Sequence, residues 1–225
     1  MATLEPIADE VWSTTIPLRF WGVETGTRMT IVRLQSGGLF VHSPIPLVGD
    51  LPAEVGALGP VTAVVAPSLF HHMSVRPWKE AYPDAIYCCT PGLDEKREDF
   101  AWDRVLSDEA EPEWAGELEQ VYFSAHSLEN ETVFFHPSTR TMICADTIFN
   151  LATHPRRFTR FVAFILATRK PGATWLERVM MRDRVRAREQ VGRMLAWKPE
   201  RILLAHGAPI LEDGEAVLRD AYAWL

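Results

Sequence analysis

The sequence has few cysteines and no CxxC pair. Its three cysteines are Cys88, Cys89 and Cys144. An odd count without CxxC spacing argues against both a disulfide framework and a zinc knuckle. The first twelve residues, "MATLEPIADEVW", are partly acidic and contain no apolar stretch typical of a signal peptide. We therefore expect a protein of a reducing compartment, the cytoplasm.

The sequence also lacks a long apolar run and an excess of positive charge. The longest apolar run, "FVAFILA", is too short to cross a bilayer, so we expect no membrane span. The net charge of -7 argues against a general nucleic-acid partner. With 225 residues, 47% hydrophobic and 24% charged, the chain can bury a substantial core. We expect one domain over residues 1-225.

Several well-known catalytic motifs are missing as well. There is no G-x-S-x-G elbow to support a serine triad, although Ser68 lies close to His71 along the chain. Phosphate-binding loops and dinucleotide fingerprints are also absent from the sequence. Any chemistry must therefore come from other residues.

Short β-rich runs alternate with two helical segments in the first part of the chain. "RMTIVRL", the turn "QSGG" and "LFVHS" predict a hairpin. "PAEVGALG" and "VRPWKEAYP" predict helices, each followed by an apolar strand candidate, "VTAVVA" and "AIYCC". Three more strand candidates follow: "QVYFSA", "ETVFFH" and "TMICA". This order favours an α/β (α+β) protein built as a layered αβ/βα sandwich.

Residues 151-190 form a basic segment within an acidic chain. They contain ten Lys and Arg residues against three Asp and Glu residues. The second half, "WLERVMMRDRVRAREQVGRMLAW", has the apolar spacing of one amphipathic helix. A solvated basic face is one interpretation. A basic lid that binds an anionic substrate through Arg156, Arg157 and Arg160 is a second, and weak peripheral contact with anionic lipid is a third.

Histidines and an aspartate follow several strand candidates. They are His71 and His72 after "VTAVVA", His126 in "FSAHS", Asp146 after "TMICA" and His206 after "RILLA". Each has an ordinary structural explanation by itself, such as a helix cap for Asp146. Together, imidazole and carboxylate groups suit a divalent ion: zinc, iron or manganese.

The two adjacent histidines can bind the same ion only in a backbone conformation other than a regular strand. Adjacent residues on a strand point to opposite faces, so His71 and His72 reach one ion only if the chain leaves the strand path. Pro67 makes such a departure plausible. His42, also at a strand end, is either an ordinary histidine or a hydrogen-bond partner of this loop.

The chain resembles the metallo-β-lactamase fold superfamily, and within it the DUF4336 family of predicted metal-dependent hydrolases. The segments that carry the resemblance are "GGLFVHSP", "VVAPSLFHH", "AHSLENETVFFHPSTRTMICADTIFN" and "LLAHGAPI". The resemblance implies a four-layer αβ/βα sandwich of the metallo-β-lactamase type over the whole chain, with a basic helical insertion at about 151-190. It also implies a hydrolase with bound metal.

The superfamily's first metal loop reads T-H-x-H-x-D-H, and this chain departs from it. A gapless overlay puts Pro67 and Leu69 on the first two histidines, His71 on the aspartate and His72 on the last histidine. The resemblance further assigns ligand roles to His126, Asp146 and His206. Apolar Pro67 and Leu69 cannot bind metal, so the resemblance implies an atypical, mononuclear site.

These observations support hypotheses of different classes. The first is a metal-dependent hydrolase of an ester, lactone, amide or phosphoester, with a divalent ion, zinc before iron or manganese, and with catalytic roles on Asp146 and His72. The second is a non-catalytic, metal-free binding protein that keeps the fold. The third is an iron-dependent oxidoreductase. A small-molecule substrate is the expected partner, and exposed aromatic residues of the basic segment offer a homodimer contact as an alternative.

Overall fold

Two β-sheets pack face to face and carry helices on their outer faces. The computed structural model describes residues 3-20, 22-125, 130-166 and 170-225. Within these ranges a seven-stranded sheet has the order β1-β2-β5-β6-β7-β8-β9. Its strands are β1 (Glu5–Ala8), β2 (Val11–Ile16), β5 (Thr27–Arg33), β6 (Leu39–His42), β7 (Val61–Ala66), β8 (Ile86–Cys89) and β9 (Arg104–Val105). Strands β1, β2, β5 and β6 pair antiparallel, and β6 to β9 pair parallel.

The second sheet has four strands in the described ranges, in the order β10-β11-β12-β13. They are β10 (Glu119–Phe123), β11 (Glu131–His136), β12 (Thr141–Ile143) and β13 (Arg201–Leu203). The last pair is parallel and the others are antiparallel. A separate small hairpin joins β3 (Arg19–Phe20) to β4 (Val23–Glu24).

The helices lie on both outer faces, which gives the four-layer αβ/βα sandwich expected from the sequence. They are α1 (Leu51–Leu58), α2 (Val75–Ala81), α3 (Leu93–Lys96), α4 (Arg157–Ile165), α5 (Trp175–Met180), α6 (Arg184–Ala196) and α7 (Gly214–Ala221). Residues of α1, α2 and α3 pack on the seven-stranded sheet, and residues of α6 and α7 pack on the four-stranded sheet. A third cluster, which includes Phe40, Val65 and Phe134, fills the space between the sheets.

The apolar and β-branched residues of the central strands explain why these segments form buried strands. Every residue of β11 is buried, and five of the six residues of β7 are buried, as expected for strands covered on both faces. The predicted hairpin is confirmed, because β5 and β6 pair antiparallel around the turn from Leu34 to Gly38. The predicted alternation of strands and helices is also confirmed: α1 and α2 connect the parallel strands β6, β7 and β8.

The prediction of one long helix near residue 180 is wrong. The structure has two helices, α5 and α6, with a break at residues 181-183. The carboxylate of Asp183 accepts a hydrogen bond from the backbone amide of Arg186 at 2.9 Å and so caps α6. An aspartate in this position starts a new helix rather than continuing the old one.

In the described ranges, no helix combines the length and the apolar character that a transmembrane segment requires.

Candidate metal centre

Three side chains converge where strands of both sheets end. The atoms that could bind a metal ion on His71, Asp146 and His206 all lie within 4.8 Å of one another. The two Nε2 atoms are 3.2 Å apart. Asp146 Oδ1 lies 3.4 Å from Nε2 of His71 and 3.3 Å from Nε2 of His206. We call these three residues the His-Asp-His cluster.

The turn after β7 directs His71 into the cluster. Ser68 Oγ accepts hydrogen bonds from the amides of Phe70 and His71, each at 3.3 Å, so the chain leaves the strand path directly after Pro67. The Nδ1 atom of His71 lies 2.6 Å from Ser43 Oγ. This contact fixes the ring and turns its Nε2 toward Asp146.

The ring of His206 is held by a hydrogen bond to a backbone carbonyl, and the backbone around His206 is held by a buried arginine. The ring Nδ1 donates to the carbonyl of Gly26 at 2.7 Å, which directs Nε2 at the cluster. Arg28 donates to the carbonyls of Leu204 at 3.1 Å and Gly207 at 3.0 Å, on either side of His206. The ring of Phe149 stacks on His206, with ring centroids 5.6 Å apart.

A steric constraint explains why the residue after His206 is glycine. Gly207 has φ +105°, a backbone conformation that side chains disfavour. A Cβ atom there would lie 1.9 Å from the carbonyl oxygen of Asn150. Only glycine fits this close approach, which keeps the His206 loop against the segment after Asp146.

Asp146 is oriented by a residue that the sequence analysis missed, Glu131. The Glu131 carboxylate accepts hydrogen bonds from the backbone amides of Ala145, Asp146 and Thr147 and from the Thr147 hydroxyl. The available signal was an acidic residue at the start of a strand candidate that contains the apolar run Val133 to Phe135. The Ser68 hydroxyl donates to Asp146 Oδ2 at 2.9 Å, so Oδ1 is left to face the histidines.

The two buried carboxyl groups have opposite pKa shifts. Burial raises the pKa of Glu131 to about 7, helped by the charge of Asp146, while the hydrogen bonds from residues 145-147 act in the other direction. Burial also acts to raise the pKa of Asp146, but His71 and His206 hold it well below its usual range. Asp146 is therefore the ionised member of the pair.

The geometry of the cluster fits a tetrahedral metal ion. Zinc bonds to nitrogen and oxygen of about 2.0–2.1 Å require neighbouring tetrahedral ligand atoms to lie about 3.3 Å apart. The three observed separations, 3.2, 3.4 and 3.3 Å, match this value. Two unprotonated Nε2 atoms and a carboxylate oxygen at such distances repel one another unless a proton or a cation lies between them. The donor set therefore suits a divalent ion.

The structure does not bring His72 into the cluster. The Nδ1 of His72 lies 2.7 Å from Nη1 of Arg97, so His71 and His72 face different partners. Burial, together with the Arg97 charge, lowers the pKa of His72 to about 4. The ligand and catalytic roles of His72 stay predictions without a geometric basis. His126 lies outside the described residues, as does the stretch up to 129.

His42, the strand-end histidine expected to be an ordinary residue or a hydrogen-bond partner of this loop, is buried. Among the described residues, its Nε2 has no hydrogen-bond partner. Its ring contacts Phe134 edge-on at a centroid distance of 5.8 Å. Burial, with a contribution from the His71 charge, lowers the pKa of His42 to about 3. His42 is therefore neutral at physiological pH.

The arginines proposed for substrate binding lie on and beside α4. Arg156 pairs with Glu24 of β4 at 2.8 Å, and Arg160 donates to the carbonyls of His154 and Pro155. Arg157 is exposed. Their role toward a substrate stays a prediction.

Comparison with known proteins agrees with this architecture. A family model described as "Domain of unknown function (DUF4336)" matches residues 8–174. The chain therefore belongs to the DUF4336 family. No curated protein is similar to it in sequence.

Solved structures with the same fold include metallo-β-lactamases. One from Erythrobacter litoralis, with β-mercaptoethanol in the active site, has a TM-score of 0.68 at 12% identity, covering 100% of this chain and 97% of that one. One from Pontibacter korlensis has a TM-score of 0.65 at 12% identity, covering 98% and 100%. The metallo-β-lactamase FIM-1 from Pseudomonas aeruginosa, in the mono-zinc form, has a TM-score of 0.66 at 10% identity, covering 99% and 95%. The fold is therefore that of the metallo-β-lactamases.

Proposed function

We propose that this protein is a metal-dependent hydrolase with a single divalent ion held by His71, Asp146 and His206. The observation that carries the proposal is the His-Asp-His cluster, whose three ligand atoms are separated by 3.2 to 3.4 Å. The fold shared with a metallo-β-lactamase in a mono-zinc form supports it. Zinc is the proposed ion because the separations fit its bond lengths, and iron and manganese accept the same donors.

The chain's own residues define what such a site does. A divalent ion held there supplies a Lewis acid, which brings the pKa of a bound water to about 7 and polarises a carbonyl or phosphoryl oxygen. Asp146 contributes a permanent negative charge, and Ser68 restrains its second oxygen. Ser43 and the Gly26 carbonyl fix the two imidazole rings. The proposed substrate is a small ester, lactone, amide or phosphoester.

An anionic substrate is favoured by the charge of the neighbouring segment. We keep Arg156, Arg157 and Arg160 as the proposed substrate-binding residues. We also keep one domain over residues 1-225, with the helical insertion at about 151-190, and the cytoplasm as the compartment. The cytoplasmic proposal is supported by Cys88, Cys89 and Cys144, which are buried free thiols.

Elemental analysis of purified protein tests the metal. We expect close to one equivalent of metal in the natural protein and loss of that metal in His206→Ala. His154→Ala is the matched control, since His154 lies outside the cluster, and it should keep its metal. Protein that stays metal-free after incubation with zinc, iron and manganese would contradict the proposal.

A specific observation favours a second candidate, a non-catalytic binding protein. Pro67 and Leu69 stand where the superfamily has two metal-binding histidines, so two ligands of the first metal are absent and only His126 of that set is left. A protein that binds metal at the cluster yet hydrolyses no ester, lactone, amide or phosphoester in a broad substrate panel would favour this candidate. An iron-dependent oxidoreductase would instead contain iron and consume oxygen.

A further inference from the structure

Helix α4 exposes its apolar residues and buries its small ones. Phe158 and Phe161 are 59% and 57% exposed, and Ile165, one turn further, is 53% exposed. The buried residues are Thr159 and Ala163, one turn apart on the opposite side. A surface helix of a globular protein normally turns its apolar stripe inward. In α4 the apolar stripe faces solvent.

Helix α5 shows the same inversion. It buries the charged residue Glu177 and exposes Leu176 and Val179, the latter to 72%. Helix α6, which follows at once, is arranged in the ordinary way: Val191 and Met194 are buried and arginines such as Arg186 are exposed. The inversion is therefore a local property of two consecutive helices.

Arginines border this apolar surface. The amide of Trp175 at the start of α5 donates to the carbonyl of Leu166 after α4 at 3.2 Å, so the two helices are adjacent. We use the name α4–α5 face for their exposed apolar and basic residues: Phe158, Phe161, Ile165, Leu176 and Val179, with Arg157, Arg160 and Arg178. On a helical wheel Arg157 and Arg160 both lie on one side of Phe161, at one border of the apolar stripe of α4. The chain outside residues 151-190 is acidic, since the whole molecule has a net charge of -7.

We propose that the α4–α5 face docks the protein on a bilayer surface that contains anionic phospholipid. Exposed phenylalanine and aliphatic side chains enter the boundary between headgroups and acyl chains, while arginines pair with the phosphates. The acidic remainder of the chain is repelled by the same surface, which orients the molecule with this face toward the lipid. A symmetric contact between two copies would instead bring the arginines of both together.

The α4–α5 face is connected to the candidate metal centre. Thr159 of α4 donates to the carbonyl of Glu24 at 2.9 Å, and Arg156 pairs with the Glu24 side chain. Gly26, which contacts His206, follows shortly after Glu24 in the chain. Docking of this face holds that part of the site toward the lipid. The docking proposal itself does not depend on metal or on hydrolysis.

Vesicle flotation tests the proposal with the full chain. We expect binding to phosphatidylcholine vesicles that contain phosphatidylglycerol (roughly 3:1), little binding to phosphatidylcholine alone, and release when salt rises from about 0.1 M to about 1 M. Replacing Phe158 and Phe161 by serine should weaken partitioning about tenfold or more. Arg157→Gln should weaken it about fivefold.

The matched control is Val105→Ser, on edge strand β9, which is also an exposed apolar residue outside the α4–α5 face. Its vesicle binding and far-UV circular dichroism should equal those of the natural protein, and the serine variants should also keep their circular dichroism. Absence of binding to anionic vesicles at low salt would overturn the proposal. So would a concentration-dependent dimer in sedimentation that the Phe158→Ser, Phe161→Ser variant abolishes, because the face would then be a contact between copies.

Discussion

Removing the Glu131 carboxylate should destabilise the protein strongly although Glu131 lies outside the His-Asp-His cluster. Glu131 is 2% exposed, and it accepts hydrogen bonds from three consecutive backbone amides and one hydroxyl. In Glu131→Ala the amides of residues 145-147 lose their acceptor inside the protein. Each buried donor left unsatisfied costs about 1–3 kcal/mol, so the total is about 3 kcal/mol or more.

The distribution of these bonds over the two oxygens predicts a graded series. Among the described residues, Oε2 accepts from the amides of Asp146 and Thr147 and from the Thr147 hydroxyl, whereas Oε1 accepts from the amide of Ala145 alone. Glu131→Gln can keep its oxygen in the Oε2 position and lose only the Ala145 bond, for about 1–3 kcal/mol. Thr147→Val removes one hydroxyl bond and should cost about 0.5–1.5 kcal/mol.

Urea unfolding followed by tryptophan fluorescence measures this series. It is carried out with a chelator present, so that metal binding does not add to the free energy of unfolding. A loss of about 3 kcal/mol in a chain of this size lowers the melting temperature by about 6–12 °C. If Glu131→Ala destabilises no more than Thr147→Val, the carboxylate does not organise residues 145-147 and the reasoning is refuted.

Two further predictions concern residues around the cluster. Gly207→Ala should destabilise by about 1–3 kcal/mol or more and reduce metal content, because its Cβ would meet the Asn150 carbonyl at 1.9 Å. Gly192→Ala in α6, where a Cβ meets nothing within 4 Å, is the control and should be neutral or stabilising. The pKa of His42, lowered to about 3 from 6.5 by burial, means that only the unfolded chain binds this proton between those values. His42 should therefore contribute a decrease of about 2 kcal/mol in the free energy of unfolding from pH 7 to pH 5, and in urea titrations at both pH values the decrease should be smaller by that amount in His42→Leu.

The sequence predicts the layered architecture because its signals are local. Strands such as β7 are short apolar runs that end at a proline, and the turn at Gly37 fixes the β5–β6 hairpin. The helix break near Asp183 was missed because the apolar spacing continues across it. The solvent-facing stripe of α4 could not be predicted, since periodicity reveals a stripe but does not determine which side packs on the protein.

The candidate site was predictable only in part. Asp146 and His206 stand directly after strand candidates and His71 stands five residues after one, and the structure brings them together. Which of two adjacent histidines faces the cluster depends on the turn at Pro67 and on Arg97, a residue far from it in sequence. Glu131 and Arg28 were missed because their roles consist of bonds to backbone groups, which the side-chain sequence does not encode.

Stability alone does not explain why this end of the sandwich is polar. Asp146, Glu131 and Arg28 are all buried, and each polar or charged group loses solvation when it leaves water. Well-packed apolar residues of similar volume are often equally or more stabilising in such places. The three groups act instead on the same few atoms: Glu131 and Ser68 fix Asp146, and Arg28 fixes the backbone on both sides of His206. Such precise positioning of Asp146 and His206 supports the proposal of a site that binds an ion.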